Sequence, residues 1–374
     1  MDLDFTEEHD MLREMVRGVC AEYSPLEVVR ALENDEKGFP DELWKQLVEL
    51  GLVGILVPEA YGGQEQTLLE AAIVYEEFGR ALAPLPHFQS AVLCAGVLVA
   101  AGSDEQKQTW LPGIANGEKI LTPAWLEPRS GFGPKGVQMR AKEAGDGFVL
   151  SGSKMHVNFA TAANQLVVVA RTGDGLEEID LFLVDPRAEG VTCSQRRNLG
   201  SETTYRVDFD GVQVSSANRI GTAGSGWATW NVVMQDGIVL AAAQAAGGAK
   251  AALEMTIEYA KTREQFGKPI GAFQSISHYL ADAATAIEGG STLVTEAAWS
   301  RSMGKDTSLL APMAKLFMCH TYRDVTAMCE QVWGGVGFTI EYDIQLYFRR
   351  AKQLQMSWWD DRYLGELVAA QELD

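Results

Sequence analysis

The order in which two hydrophobic periodicities follow one another constrains this chain most. Up to about residue 118 apolar residues recur at helical spacing. Met11, Leu12, Met15, Val16 and Val19 form one such stripe behind a capping Thr6. Leu43, Trp44, Leu47, Val48 and Leu50 form another, stopped by Gly51. A third runs from Leu68 to Leu82 and ends before Pro84 and Pro86. Between about 119 and 220 the pattern changes to short β-type runs: 148–150, 165–170, 179–184 and 205–209. From about Ser225 onward it is helical again. Helices, then strands, then helices fit a β domain set between two helical ones, and exclude an alternating βαβ fold. The expected division is an N-terminal all-helical domain over 1–118, a middle antiparallel β domain over 119–224 and a C-terminal helical bundle over 225–374, an α+β class.

Composition narrows the function classes. Of 374 residues, 47% are hydrophobic and 22% charged, enough for a sizeable core. The net charge of −20 argues against phosphate-backbone or anionic-membrane binding, which need basic surface. A few local arginines or a helix N-terminus can still hold one phosphate group. The most apolar stretch, Ile238–Ala246, is short and broken by Gln244, so no membrane span is expected. Asp2, Asp4, Glu7 and Glu8 at the start are unlike a signal peptide. Five scattered cysteines (Cys20, Cys94, Cys193, Cys319, Cys329) lack metal-type spacing and read as reduced thiols of a cytoplasmic protein. His320 beside Cys319 reads as structural, and no metal site is expected.

Four segments stand out from this background. Leu50–Gly63 is a helix stop followed by an apolar loop. Arg263-Glu264-Gln265-Phe266-Gly267-Lys268-Pro269-Ile270, with Phe273 and Gln274 after it, sits where one long helix breaks and the next begins. An arginine there can pair with a phosphate, or with Glu264. Gln331-Val332-Trp333-Gly334-Gly335-Val336-Gly337 follows a helix; three glycines allow a sharp turn and close ligand approach. The fourth comprises Pro123–Gly133 and Gly152–Asn158, at the edges of the β regime. No Gly-x-Gly-x-x-Gly follows a strand, so a Rossmann site is not expected.

In this order and spacing the four segments resemble the acyl-CoA dehydrogenase family, over nearly the whole chain. The likeness extends to subunits of heteromeric, actinobacterial-type members, some acting on substrates as bulky as steroid side chains. It implies a C-terminal four-helix bundle, a tetramer, and FAD bound between the β domain of one subunit and the bundle of its neighbour. The implied reaction converts an acyl-CoA thioester to the 2-enoyl-CoA: a carboxylate removes the α-proton, the flavin takes the β-hydride, and the electrons leave through a carrier protein. The resemblance places Arg263, Phe266 and Gln274, with Gln331, Val332, Trp333, Gly334 and Gly335, against the ADP part of FAD.

The flavin side departs from the family pattern. Leu126 stands for a hydrogen-bonding threonine; Phe132 and Gly133 for a Ser-Asp pair. His156 stands for a stacking tryptophan and Asn158 for a hydroxyl residue that bonds the flavin. The two positions from which family members supply the base are Trp358 and Gly237. Asp236 is one residue earlier, and Asp360 and Asp361 lie just past Trp358. A one-residue slip turns a helical side chain by about 100°, so Asp236 reads either as an unusual base or as a solvated or capping aspartate. Two forms of the family reading stay open. One is a homotetrameric enzyme using Asp236; the other is a heterotetramer in which this chain donates FAD contacts and lacks the base. A purely structural paralogue, and a monooxygenase or oxidase of similar fold, are the readings from other classes.

Overall fold

The computed structural model describes residues 5–373, so Asp2 and Asp4 of the acidic start lie outside the described residues. Six helices come first: α1 (Glu7–Tyr23), α2 (Leu26–Ala31), α3 (Asp41–Glu49), α4 (Leu68–Arg80), α5 (Ala95–Ala101) and α6 (Asp104–Ala115). Thr6 caps α1 as expected: its hydroxyl accepts the His9 N–H at 3.3 Å, and the His9 ring accepts the Thr6 N–H. Thr67 and Ser103 build the same reciprocal cap on α4 and α6. Gly51, the expected stop of α3, has a φ of 71°, which a glycine adopts without strain. A π-helical stretch, Phe88–Cys94, runs directly into α5 and is buried throughout.

Eight strands follow: β1 (Leu121–Ala124), β2 (Arg140–Ala144), β3 (Gly147–Asn158), β4 (Gln165–Arg171), β5 (Ile179–Val184), β6 (Val191–Arg196), β7 (Thr204–Ser215) and β8 (Arg219–Ile220). They form one sheet in the order β6-β7-β3-β2-β4-β5-β8, with β1 also on β4. Pairing is antiparallel except where β1 and β2 meet β4. The four β-type runs seen in the sequence fall inside β3, β4, β5 and β7. The missed strands are those with little local signal. Arg140-Ala141-Lys142-Glu143-Ala144 is rich in helix formers, yet pairs residue for residue with β3. β3 is bulged twice, and the second irregularity, between Lys154 and Val157, contains His156 at a φ of 54°.

The last part comprises α7 (Gly226–Thr262), a two-stranded hairpin of β9 (Glu264–Gln265) and β10 (Lys268–Pro269), then α8 (Gln274–Ser302), α9 (Leu310–Trp333), α10 (Ile344–Met356) and α11 (Asp361–Leu373). α9 packs against α8, α10 and α11, and touches α7 through Tyr322 at Gly248. Among the described residues one helix, Gly226–Thr262, is long and apolar enough to cross a membrane. However, 78% of its most apolar window is buried within the protein, as for a core helix.

Contacts divide the chain into two units. One holds residues 30–66 and 84–237, with the sheet and a core around Leu150, Val168, Phe182 and Val207. The other holds the chain up to Val29, Thr67–Ala83, and everything from Ile238 onward. Within the latter, α4 and α7 cross at backbone contact: a Cβ on Gly79 would lie 1.9 Å from the Gln244 carbonyl, and one on Gly247 1.7 Å from that of Glu76.

Candidate functional site

Arg263 lies one residue past the end of α7, and its N–H still donates to the Tyr259 carbonyl at 2.8 Å. The chain then doubles back in the β9–β10 hairpin. Its two turn residues, Phe266 and Gly267, have φ of 54° and 79°. Positive φ at both positions is the signature of a turn that matches strand twist, and it is costly for Phe266. The ring stands out at the tip, 94% exposed. Arg263 is exposed at the base of the hairpin, and Lys268 lies 4.3 Å over the Phe273 ring. Gln274, exposed, opens α8, whose start has no side-chain cap. The Ile276 and Ser277 N–H groups already donate to the Phe273 carbonyl, which leaves the Gln274 and Ser275 amides facing outward for an anion. The expected cluster is thus brought together on one exposed arm.

The glycine segment closes α9. Gly334 has φ 66° and ψ −145°, a region essentially reserved for glycine. A Cβ on Gly334 or Gly335 would meet nothing within 4 Å, so this backbone is open to close approach. Gln331 is exposed, whereas Val332 is buried, leaving its backbone as the ligand-facing part. Trp333 anchors the turn from behind. Its Nε1–H donates to Thr256 at 3.1 Å and its ring stacks on Tyr259 at 4.1 Å. An exposed guanidinium, open helix-start amides and an open glycine backbone are the donor set that a pyrophosphate requires, and these residues fit the ADP end of FAD.

Beneath this turn is a residue the sequence reading missed. Glu330 is 2% exposed, and both carboxyl oxygens lack a hydrogen-bond partner. Burial pushes its carboxyl up to about 7. The signal was available: Tyr322, Thr326 and Glu330 recur at a spacing of four on the buried face of α9, so an acid stands in a core register.

Neither family base position offers an acid. Trp358 and Trp359 follow the end of α10 with φ of 54° and 70°, strained values for bulky residues. The buried Lys315 ammonium clamps this turn, donating to the carbonyls of Leu354 at 3.1 Å and Trp359 at 2.8 Å. The acids just beyond are engaged locally. Asp360 accepts the Tyr363 N–H at 3.0 Å at the start of α11, and Asp361 pairs with His320 at 2.7 Å. The structural reading of His320 fits that pairing. At the other position, a Cβ on Gly237 would lie 2.8 Å from Leu93 Cδ2 and 3.4 Å from the Phe88 ring, so that face of α7 is filled. Asp236 is half-buried, on the face about 100° away.

On the flavin side, the Leu126 carbonyl accepts the Met155 N–H at 2.8 Å, tying the 121–130 segment to β3. Beside it Trp125 packs on Trp230 and Phe132, with ring centroids 5.3 and 5.8 Å apart. Glu127 and Lys154 form a buried ion pair at 2.7 Å. Burial lowers the Lys154 ammonium to about 8, against the opposing pull of Glu127. His156 is exposed on its bulge. Asn158 is buried: its amide donates to Glu202 at 3.2 Å, and its carbonyl accepts the Thr122 hydroxyl at 2.7 Å. Among the described residues no group of three His, Cys, Asp or Glu side chains could hold a metal.

Comparisons with known proteins match this architecture along the chain. Three family models match: "Acyl-CoA dehydrogenase, N-terminal domain" at residues 6–118, "Acyl-CoA dehydrogenase, middle domain" at 123–212 and "Acyl-CoA dehydrogenase, C-terminal domain" at 224–358. The chain is 32% identical to the probable acyl-CoA dehydrogenase YngJ of Bacillus subtilis, covering 95% of each. It is 31% identical to the acyl-CoA dehydrogenase FadE27 of Mycobacterium tuberculosis, covering 96% of this chain and 95% of that one. A chain of the ChsE4-ChsE5 complex from Mycobacterium tuberculosis superimposes with a TM-score of 0.90 at 29% identity, over 100% of both. With three domain models in the order its sequence and fold require, the chain belongs to the acyl-CoA dehydrogenase family.

Proposed function

We propose that this chain is one subunit of a FAD-dependent acyl-CoA dehydrogenase and works beside an unlike subunit that carries the catalytic base. The family supports acyl-CoA dehydrogenation as the general chemistry. When bound, FAD supplies the two-electron acceptor for oxidising the α,β-bond of a CoA thioester. Arg263, Gln274 and the Gln331–Gly335 backbone are the residues that would hold its ADP end, with the exposed Phe266 beside them. In the inter-subunit arrangement, that FAD belongs to a neighbour's β domain, while Asn158, bonded to Glu202, would offer its remaining amide capacity to the flavin seated at this chain's own β domain.

The observation that carries the heteromeric form is the filling of both base positions. Leu93 and Phe88 occupy the space a side chain at 237 would need, and Trp358 stands at the other position on a turn fixed by Lys315. A carboxylate cannot take the α-proton from either place. An intact cofactor grip without a base is what a donor subunit requires. Asp236 is then a structural acid, and Asp236→Asn leaves turnover of the assembled enzyme unchanged.

Expression of the chain alone, followed by measurement of bound flavin and of acyl-CoA oxidation with an artificial electron acceptor, tests this. The expected result is substoichiometric FAD and no turnover, both restored by co-expression with a base-bearing dehydrogenase subunit. Full flavin occupancy with turnover by the lone chain overturns it. In the assembled enzyme, Arg263→Ala weakens FAD retention by about 10–100-fold, the range for a lost charge-assisted hydrogen bond. Unchanged flavin content would favour a purely structural subunit, and rapid oxygen consumption by the reduced protein an oxidase.

A further inference from the structure

The glycine turn is built over an acid. In the second unit, the space where a side chain on Gly337 would begin is bounded by Glu330 Oε2 at 2.4 Å, Trp333 Cβ at 3.0 Å and the Gly334 carbonyl at 3.4 Å. The Glu330 carboxyl is therefore packed directly against the backbone of Gly337. The Gly337 N–H closes the turn by donating to the Gly334 carbonyl at 3.0 Å. Trp333 is fixed to Thr256 and Tyr259 on the other side. The Gly334 N–H donates to the Glu330 carbonyl, and the Val336 carbonyl accepts the Thr339 N–H at 3.1 Å.

We propose that Glu330 is a positioning residue for the Gly334–Gly337 turn, its carboxyl forming the support on which Gly337 rests and so fixing how the turn's amides face an anionic ligand. A buried polar group without a partner is costly, and nature retains few of them. A leucine-like side chain would fill this place more cheaply. A neutral carboxylic acid has the planar shape that fits against a glycine backbone, and it puts no charge behind a phosphate-facing turn. An ionised one would be unpartnered in the core and would repel both the ligand and its own surroundings. Burial favours the neutral form. No charged side chain contributes to that preference; the neighbouring Cys329 thiol, itself raised to about 12 by burial, stays neutral as well.

The inference rests on reading the turn as the ADP-facing part of the cofactor site, and its test separates the two. Amide hydrogen–deuterium exchange over residues 331–342 of the full chain is followed for the wild type, Glu330→Gln and Glu330→Ala, corrected for intrinsic rates. The neutral fraction of Glu330 falls about tenfold between pH 6 and pH 8, so wild-type protection falls with it. Glu330→Gln, which keeps the shape and cannot ionise, stays protected and flat across that range. Glu330→Ala is unprotected at both ends. In the assembled enzyme at pH 6, Glu330→Ala retains FAD about tenfold more weakly than the wild type, and Glu330→Gln at pH 8 still retains it as the wild type does at pH 6. A flat wild-type exchange profile, or protection in Glu330→Ala equal to wild type, overturns the proposal. Loss of FAD from Arg263→Ala but not from Glu330→Ala overturns it too. If the exchange pattern appears as expected while neither variant changes flavin content, the support stands and the cofactor assignment of the turn fails.

Discussion

At the scale of single residues, the buried pair of Lys154 and Glu127 shows what an ion pair does in this fold. Lys154 is fully buried on β3, and its ammonium also donates to the Trp125 carbonyl at 3.1 Å. Glu127 further accepts the N–H groups of Gln138 and Met139 at 3.0 Å. One carboxylate thus ties β3, the 121–130 segment and the approach to β2 together. Removing it would leave an uncompensated ammonium in the core and the Gln138 and Met139 amides without this acceptor. Glu127→Ala is expected to destabilise the protein by about 3–5 kcal/mol, measured by urea unfolding. A loss below about 1 kcal/mol would mean that water replaces the carboxylate at no cost. In the sequence, Glu127 and Lys154 were visible only as members of a loop and a strand; their pairing across 27 positions is a property of the sheet. Arg263 and the three glycines were legible at this scale because their chemistry is local: a charge at a helix break, and residues that accept unusual φ and ψ. Glu330 was legible only as an acid out of register.

At the scale of elements, α7 carries an Ala- and Gly-rich run, Ala241–Ala252, whose small residues let another helix backbone approach closely. The partner is α4, and the fit is reciprocal, Gly79 on Gln244 and Gly247 on Glu76. Both obstacles are backbone carbonyls, which cannot rotate away. Gly247→Ala therefore has to move a helix, although alanine is the better helix former by about 1 kcal/mol. The expected net effect is a destabilisation of about 1–3 kcal/mol or more, read as a lower thermal midpoint. A rise in the midpoint would show that propensity outweighs the clash. The hairpin between α7 and α8 makes the complementary point. Gly267 and Pro269 predict a helix break, which is present, but the two-stranded arm that displays Phe266 follows from turn geometry and strand pairing. β2 is the plain case of the reverse: its local preference is helical, and pairing with β3 decides otherwise.

At the scale of the whole molecule, two buried groups tilt stability with pH in opposite directions. His87 is 1% exposed, its Nε2 lies 3.0 Å from the Leu52 carbonyl, and burial lowers it to about 4 from 6.5. The folded chain thus binds fewer protons there than the unfolded chain, so this contribution is present above about 6.5 and is lost as pH falls toward 4. Its size is on the order of 3 kcal/mol. Glu330 is raised from 4.5 to about 7, so its contribution is present below 4.5 and is lost as pH rises through 7. Across the shared window the two offset each other. His87→Gln is expected to remove the acid-side loss and expose the downward slope of Glu330, seen as a thermal midpoint that falls steadily from pH 5 to pH 7. An unchanged pH profile in that variant would mean that His87 titrates normally.

The sequence by itself determined the order of helical and β regimes, the Thr6 cap of α1, the break that becomes the arm and the glycine turn. Each follows from periodicity, capping chemistry or φ preference within a few neighbouring residues. Only the tertiary structure decided what fills the two base positions and what lies beneath the turn. Leu93 reaches Gly237 from far along the chain, and Lys315 holds the Trp358 turn from the second turn of α9. Those contacts, and the burial that favours the neutral form of Glu330, depend on which distant residues exclude water, which no local pattern encodes.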